Sequence, residues 1–505
     1  MSKDFDYEEM QVPNPPESSE RPLVSFARQT AECSDVRNAE RFAVWFSKDV
    51  RYAHSWELWL CWDGKRWSVD NNGGAKRFAI EAAQRLLAEK GRAYQDAIGT
   101  GNKDKIDAAR IEYKWASRTQ NSKALNAMLE VASASKALTC THRELDTDPW
   151  LLNVSNGVLD LRTGTLREHR REDLISKLAP VVYDPRAKAP TWERFLSQAM
   201  GGNAEMIAFL RRMIGYTLTG LIREHILGFN FGGGANGKST FLTAIHALLG
   251  DYAVRAPRGL LFKAKGGDKH PTEMTTLFGA RFVSCAEVGE SEKFDEALVK
   301  DLTGGDKISA RRMREDFWEF TPTHKLFLAG NHRPSVSGTD EGIWRRIRLV
   351  PWTVTVAPEE RDAALGEKLT AELSGILNWA LEGCLEWQRD GIGEPIEVTE
   401  ATAEYRDESD PLKEFLDRYC VFEPGAKVAR KWVREKYVAY CSDNGREPVQ
   451  SKRFAQALQK RGAANGGTIR IHEGVRDAWT GVRLKSDEEH LVGSSENCRD
   501  KRNAA

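Results

Sequence analysis

The sequence has no net charge, no long apolar run and no paired cysteines. Its 74 Lys and Arg are matched by 74 Asp and Glu over 505 residues. This excludes a histone-like polycation and an acidic solvating chain, while leaving room for basic patches on single domains. No stretch approaches the roughly 18 consecutive apolar residues that a membrane helix needs, so no membrane span or membrane partner is expected. The first residues, MSKDFDYEEM, are acidic where a secretory signal needs basic and then apolar residues. Eight cysteines stand alone, at 33, 61, 140, 285, 384, 420, 441 and 498, and none forms CxxC. That pattern suits neither a zinc ribbon nor a redox motif, and fits isolated thiols in a reducing cytosol. Internal repeats and extended low-complexity segments are missing as well. What remains is a soluble, globular composition, 41% hydrophobic and 29% charged, long enough for two to four domains of roughly 100–200 residues.

Residues 1–25 are acidic and rich in Pro and Ser, and are expected to be disordered. Residues 26–205 read as a mixed, mostly helical domain with small hairpins. Trp45, Trp56, Trp59, Trp62 and Trp67 crowd its start, a spacing that suits a compact aromatic core better than a base-stacking surface. One hairpin is expected to turn at Asp63-Gly64 and a second at Thr163-Gly164. Helical periodicity covers 75–92, 103–119, 122–135 and 190–221. From 206 to 400 short apolar strands alternate with helices. ILGFNF (226–231), RFVSCAEV (281–288), KLFLAG (325–330) and IRLVPW (347–352) predict a parallel sheet covered on both faces. Leu365, Leu369, Leu373, Leu377, Leu381 and Leu385 predict one long helix ending at Gly391. Residues 410–485 read as three helices (412–420, 429–442, 451–461) and a hairpin (467–484), a winged-helix pattern. Residues 427–485 hold fourteen Lys and Arg against five Asp and Glu, a local charge of +9. The polar stretch 486–505 is expected to be disordered.

The sharpest motif is Gly232-Gly233-Gly234-Ala235-Asn236-Gly237-Lys238-Ser239-Thr240. It fits G-x-x-x-x-G-K-[ST], with an apolar strand before it and an amphipathic helix after it. Glycines let backbone N–H groups close on a phosphate without Cβ clashes, and the helix N-terminus adds its dipole. Lys238 then supplies a charge at the β- and γ-phosphates of ATP, and Ser239 a hydroxyl for Mg²⁺.

Such a loop needs a carboxylate on a neighbouring strand to hold Mg²⁺ and orient water. Glu287, at the tip of RFVSCAEV, is the candidate, with Glu290 as the alternative. Asn331 ends KLFLAG, where an amide can hold the attacking water or sense the γ-phosphate. Arg345 and Arg346 precede the next strand, and either can act as a finger on a neighbouring subunit's phosphate. Between Glu287 and Asn331, TGGDKISARRMREDFWEF (303–320) offers Lys307, Arg311, Arg312 and Arg314 on a hairpin suited to a phosphate backbone. In the C-terminal module Ser451 is expected to cap the third helix. Lys452 and Arg453, with Gln456, Gln459 and Lys460, would then face DNA.

These motifs resemble those of superfamily 3 helicases, a branch of the AAA+ ATPases. They resemble more closely the helicase portion of phage- and plasmid-type primase–helicases, whose relatives include the poxvirus primase–helicase. GGGANGKST, FVSCAE, ALVKDLTGGDKISARRM, KLFLAGNHRP and GTDEGIWRRIRLVPW follow the family's order, and NVSNGVLDLRTGTLREH with DLISKLAPVVYDP is similar to its pre-motor region. The likeness spans roughly 40–485. It implies an α/β AAA+ core between a mostly helical N-terminal domain and a winged helix. It further implies a ring, expected to be hexameric, moving 3′ to 5′ on single-stranded and forked DNA, in the cytoplasm of a bacterial host. Many relatives carry adjacent acids in the second motif, where this chain has Glu287-Val288. Only some 40 residues precede the Trp-rich region, so any primase or polymerase is expected to be a separate partner. Two other readings compete. A small-molecule kinase would lack the arginine pair and the basic C-terminal module. An ATP-dependent origin-binding or assembly protein would share every motif and differ only in failing to unwind.

Overall fold

A computed structural model describes residues 32–257, 259–263, 272–286, 289, 292–311, 316–336, 341–410, 412–444, 447–471 and 474–485. Both terminal segments expected to be disordered lie outside these residues. The chain divides into two compact units. One comprises residues up to 159 with 166–178, and the other 160–165 with 179 onward. The division thus falls near 179 rather than 205, because the helices of 190–218 pack with the second unit.

In the first unit, helix α1 (Asp35–Phe46) is capped by Ser34, whose hydroxyl accepts from Arg37 N–H. Strands β1 (Val50–Ala53), β2 (Leu58–Trp62), β3 (Trp67–Val69) and β4 (Thr139–Cys140) form a sheet in the order β3-β2-β1-β4. The β2–β3 hairpin turns where expected. Asp63 Oδ1 accepts from Lys65 and Arg66 N–H, both at 2.8 Å, and Gly64 takes φ +97°. Helices α2 (Gly74–Gly99), α3 (Lys103–Arg118) and α4 (Ser122–Ala132) follow. Phe42, Phe46, Val50, Leu125 and Met128 form the core, with Trp59 against it. Trp56 and Trp67 are buried, so the tryptophan cluster is structural. A meander of β5 (Leu151–Val154), β6 (Gly157–Asp160) and β7 (Thr165–Arg167) ends this region.

The second unit opens with α5 (Pro190–Ala199) and α6 (Ala204–Leu218). The single helical stretch expected here is broken. Gly201 and Gly202 turn through φ +60° and +77°, and Asn203 caps α6 by accepting from Glu205 and Met206 N–H. The sheet has five parallel strands: β8 (Leu227–Phe231), β9 (Ala253–Arg255), β10 (Phe282–Ala286), β13 (Lys325–Gly330) and β14 (Ile347–Pro351). Their spatial order is β14-β8-β13-β10-β9. Every residue of β13 is buried, as a central parallel strand covered on both faces must be. Helix α7 (Lys238–Leu249) follows β8, and α8 (Glu296–Gly304) follows β10. A small antiparallel pair, β11 (Ile308–Ala310) and β12 (Trp318–Phe320), lies outside the main sheet.

The long leucine-patterned helix is two, α9 (Leu365–Ala371) and α10 (Leu373–Asp390). Glu372 leaves helical geometry at the break (φ −96°, ψ 10°). Its carboxylate accepts from Thr191 N–H at 2.9 Å and Trp192 N–H at 3.1 Å, capping α5. Gly391 ends α10 at φ +72°, as expected. At the other end of the sheet, Arg281 and Lys325 both donate to C-terminal carbonyls of α6, Leu218 O and Thr219 O. Burial, followed by the nearby Arg281, drives the Lys325 amine well below its ordinary pKa.

Helix α11 (Ile396–Glu408) leads to α12 (Lys413–Tyr419), β15 (Cys420–Ala429), α13 (Arg430–Asp443), α14 (Ser451–Lys460), β16 (Ala464–Ile471) and β17 (Gly474–Leu484). The last three strands form an antiparallel sheet in the order β15-β17-β16. Phe415, Val433, Tyr437, Phe454, Leu458, Trp479 and Val482 form its core with the helices. Strand β15 was not expected, because Pro424 and Gly425 interrupt its alternation. The register indeed shifts between Phe422 and Lys427. Helix α14 starts at Ser451 with Gln450 at the cap position and no side-chain cap bond, so Ser451 is not the cap.

Candidate functional site

The glycine-rich loop joins β8 to α7 at the C-terminal edge of the parallel sheet, where ligands bind in open α/β folds. Two of its glycines are forced by neighbours. A Cβ on Gly232 would lie 2.3 Å from Trp352 O, and one on Gly237 (φ +90°) would meet Phe195 at 2.8 Å. Gly233 and Gly234 face open space. Asn236 is buried and braces the loop, donating to Gly233 O (2.8 Å) and Trp352 O (3.0 Å). Val356 N–H donates to Ala235 O at 2.9 Å. The Lys238 ammonium donates to Gly232 O (2.8 Å), Gly233 O (2.7 Å) and Asn236 Oδ1 (2.9 Å). Its side chain is buried, and burial pushes the amine down to about 8. All three of its protons thus lie on the loop itself, within reach of an anion bound there. Ser239 is exposed in the first turn of α7, and Thr240 follows half-buried.

Sheet register fixes the other candidates. Gly330, at the end of β13, pairs with Phe231, the last residue before the loop. Asn331 therefore leaves the sheet beside Gly232, and it is exposed. β10 is not the neighbour of β8, because β13 lies between them. Its last residue, Ala286, pairs with Ala329. Glu287 and Glu290 follow directly and lie outside the described residues. On the face of α7, His246 Nε2 lies 2.7 Å from Ser284 Oγ of β10, and burial pushes this histidine down to about 4.

The two arginines separate sharply. Arg346 is buried. Its Nε donates to Thr303 Oγ1 at 2.9 Å and its Nη1 to Gly342 O at 2.6 Å. Arg345 is exposed, and its guanidinium has no partner among the described residues. Sequence reasoning missed Arg333, two residues past Asn331. It lies over the Phe231 ring at 4.6 Å, with Glu408 at 2.5 Å and Glu404 at 3.4 Å, both on α11. The Asn-His-Arg-Pro run carried that signal only as a turn.

Of the nucleic-acid candidates, Lys307 and Arg311 are exposed on the β11–β12 pair, and Arg311 stacks over exposed Phe317 at 4.7 Å. Trp318 and Phe320 are buried beneath against Phe278. Arg312 and Arg314 lie outside the described residues. Lys452, Gln456, Gln459 and Lys460 are exposed on α14. Arg453 is half-buried, and with Gln456, Gln459 and Lys460 it lines a cleft of about 670 Å³ that also takes in Trp344, Asp407 and Asp410.

Comparison with known families now bears on this geometry. Residues 39–201 match the family described as D5 N terminal like, and residues 407–465 match Poxvirus D5 protein-like. The stretch between, 231–346, matches a family of unknown function, DUF5906. The chain carries D5-type segments on both sides of its phosphate loop. It therefore resembles the poxvirus-type primase–helicases, as its motifs implied. Among curated relatives, "Putative helicase L207/L206" of Acanthamoeba polyphaga mimivirus is 26% identical over 59% of this chain and 34% of that protein. "Putative helicase 022R" of Frog virus 3 is 24% identical over 74% and 50%. "Putative primase C962R" of African swine fever virus is 28% identical over 40% and 22%. The chain thus spans a half or less of the length of these relatives. The apo C-terminal region of NrS-1 overlays loosely, at TM-score 0.38 and 10% identity over 59% of this chain and 77% of that one. The relatives come from large DNA viruses, so the expected bacterial host is not supported. Among the described residues no helix is long and apolar enough to cross a membrane.

Proposed function

We propose that this chain is the ATP-hydrolysing motor of a replicative DNA helicase. The observation that carries the reading is the phosphate loop at the edge of a parallel sheet, with Asn331 emerging from the adjacent strand. Residues 232–240 bind the triphosphate, and Lys238 moves its protons from loop carbonyls to the β- and γ-phosphate oxygens. Ser239 and Glu287 hold Mg²⁺, which neutralises phosphate charge when bound. An exposed hydroxyl one residue into α7 suits that ion. Glu287 is the base that takes a proton from the attacking water, with Glu290 as the alternative, and Asn331 orients that water. Arg345, exposed and with no guanidinium partner among the described residues, is the finger offered to a neighbouring subunit, and Arg346 holds its segment in place. This reading needs a ring, with a hexamer as the expected form and 3′-to-5′ travel on single-stranded DNA.

The β11–β12 hairpin supplies Lys307 and Arg311, with Arg312 and Arg314, to the DNA backbone. The helix–strand–helix–helix–strand–strand order from α12 to β17 supports a winged helix, in which Lys452 and Arg453 contact DNA. Relatives named as helicases and primases support forked DNA and a primase or polymerase as partners.

Duplexes with only a 3′ or only a 5′ single-stranded tail test the reading, with Mg-ATP and a Lys238→Ala control. ATP-dependent separation of the 3′-tailed duplex, lost in Lys238→Ala, is the expected outcome. DNA-stimulated hydrolysis without separation would turn the reading to an origin-binding or assembly role, and absence of both would sink it.

A further inference from the structure

We propose that His246 is a positioning residue, whose hydrogen bond to Ser284 seats the phosphate-loop helix on the acid-bearing strand at the spacing that Mg²⁺ needs. The inference rests on reading Ser239 and Glu287 as the groups that hold this ion. Ser239 lies in the first turn of α7, and Glu287 follows Ser284 by three residues. The two groups belong to elements that do not adjoin in the sheet. Helix α7 issues from β8, and β13 separates β8 from β10. At roughly 4.8 Å per strand, α7 crosses about 10 Å of sheet to reach β10. It meets that strand at His246, about two turns beyond Lys238. His246 Nε2 lies 2.7 Å from Ser284 Oγ, and the imidazole stands nearly perpendicular to the Phe282 ring, 5.1 Å away.

This polar pair is out of character for its place. A parallel strand covered on both faces reads as a run of apolar residues. Phe282, Val283 and Cys285 obey that rule, and buried Ser284 breaks it. The rest of the inward face of α7 is apolar, through Phe241, Leu242, Ile245, Leu248 and Leu249. Such contacts hold a helix against a sheet but are non-directional, so they leave small slides along it open. A hydrogen bond is directional and fixes the slide. Ser284 is itself held in register, pairing with Phe327 of β13 and Arg255 of β9, while its carbonyl accepts from Ala256 N–H at 2.9 Å. Mg²⁺ demands near-ideal octahedral geometry, with oxygens at about 2.0–2.1 Å. A shift of tenths of an ångström in the seat of α7 therefore reaches the ion.

The test removes the bond without leaving a buried group unsatisfied. In the full chain, His246→Phe/Ser284→Ala replaces both partners by apolar groups of similar shape, a change that can be nearly neutral for stability. Its thermal midpoint is expected to stay near wild type. Calorimetry of ATP with and without Mg²⁺ reads the positioning directly. Affinity without Mg²⁺ is expected to change less than about twofold, the gain on adding Mg²⁺ to fall at least about fivefold, and hydrolysis at least about tenfold. Ser284→Ala alone should show the same pattern if the double variant folds poorly. His246→Gln, which can place an amide nitrogen near Nε2, should return the Mg²⁺ gain to within about threefold of wild type. An Mg²⁺ gain and hydrolysis rate within about twofold of wild type in the variants lacking the bond would overturn the inference. So would equal losses of affinity with and without Mg²⁺, which mark general damage. Failure of the wild type to gain ATP affinity from Mg²⁺ would instead remove the reading on which it rests.

Discussion

Lys238 and Arg346 are both buried cations satisfied by nearby oxygens, yet their chemistry differs. Lys238 is a lysine whose proton can leave. Burial holds it at about 8 in the nucleotide-free protein, below the ordinary 10.4 or so. In folding terms this is a penalty, fully felt below pH 8 and gone above the ordinary value. A bound triphosphate favours the charged form, so binding takes up a proton once the pH exceeds about 8. ATP affinity should therefore fall as pH rises from 7 to 9, by at most about tenfold per unit above 8. Calorimetry in buffers of different ionisation heat should register the proton uptake at pH 8.5. A flat affinity profile would mean that the lysine stays protonated throughout. Arg346 cannot lose its proton and has become part of the core. Arg346→Ala should destabilise the fold by about 1–3 kcal/mol, seen as a lower midpoint in urea. Arg345→Ala should leave that midpoint unchanged and spare nucleotide binding, while reducing hydrolysis. Mixing it with Lys238→Ala subunits should restore part of the rate, and no recovery would count against a shared inter-subunit site.

At the scale of elements, two helices that read as ordinary amphipathic segments are in fact joined backbone to backbone. A Cβ on Gly215 of α6 would lie 2.1 Å from Cys384 N, and one on Gly383 of α10 would lie 2.1 Å from Arg211 O. The Arg211–Glu386 pair, at 2.5 Å, closes the same crossing. Gly383→Ala has no flexible side chain to displace, and is expected to cost about 1–3 kcal/mol or more. A thermal midpoint within error of wild type would refute this close approach. Helix α11 is held differently, by polar clamps. Tyr405 donates to Pro334 O, Arg406 pairs with Glu341, and Arg333 bridges Glu404 and Glu408. It therefore touches the segment after Asn331 and the turn before Arg345 before it enters the C-terminal module. Arg333→Ala is expected to loosen this helix with faster amide exchange over 396–408, and unchanged exchange there would show the bridge to be dispensable.

At the scale of the molecule, the strands and the loop were legible because their signals are local. Apolar runs bounded by turns located four of the five parallel strands, and G-x-x-x-x-G-K-[ST] located the anion site. The missed strand, β9, is three residues long, too short to show a period. The missed β15 hides behind Pro424 and Gly425. Strand order was not legible at all. The acid-bearing strand was expected beside the loop strand, but β13 intervenes, because pairing is chosen by register and crossover rather than by position in the chain.

The sequence by itself determined the parallel-sheet core, the phosphate loop with Lys238 and Ser239, and the basic character of 427–485. Each is written in the type and spacing of neighbouring residues. Only the tertiary structure decided that Arg346 is buried and Arg345 exposed, that Arg453 is half-buried, and that Glu372 breaks a helix to cap another. It alone brought His246 of α7 against Ser284 of β10. These are contacts between residues tens to hundreds of positions apart, and the packing that selects them leaves no local period to read.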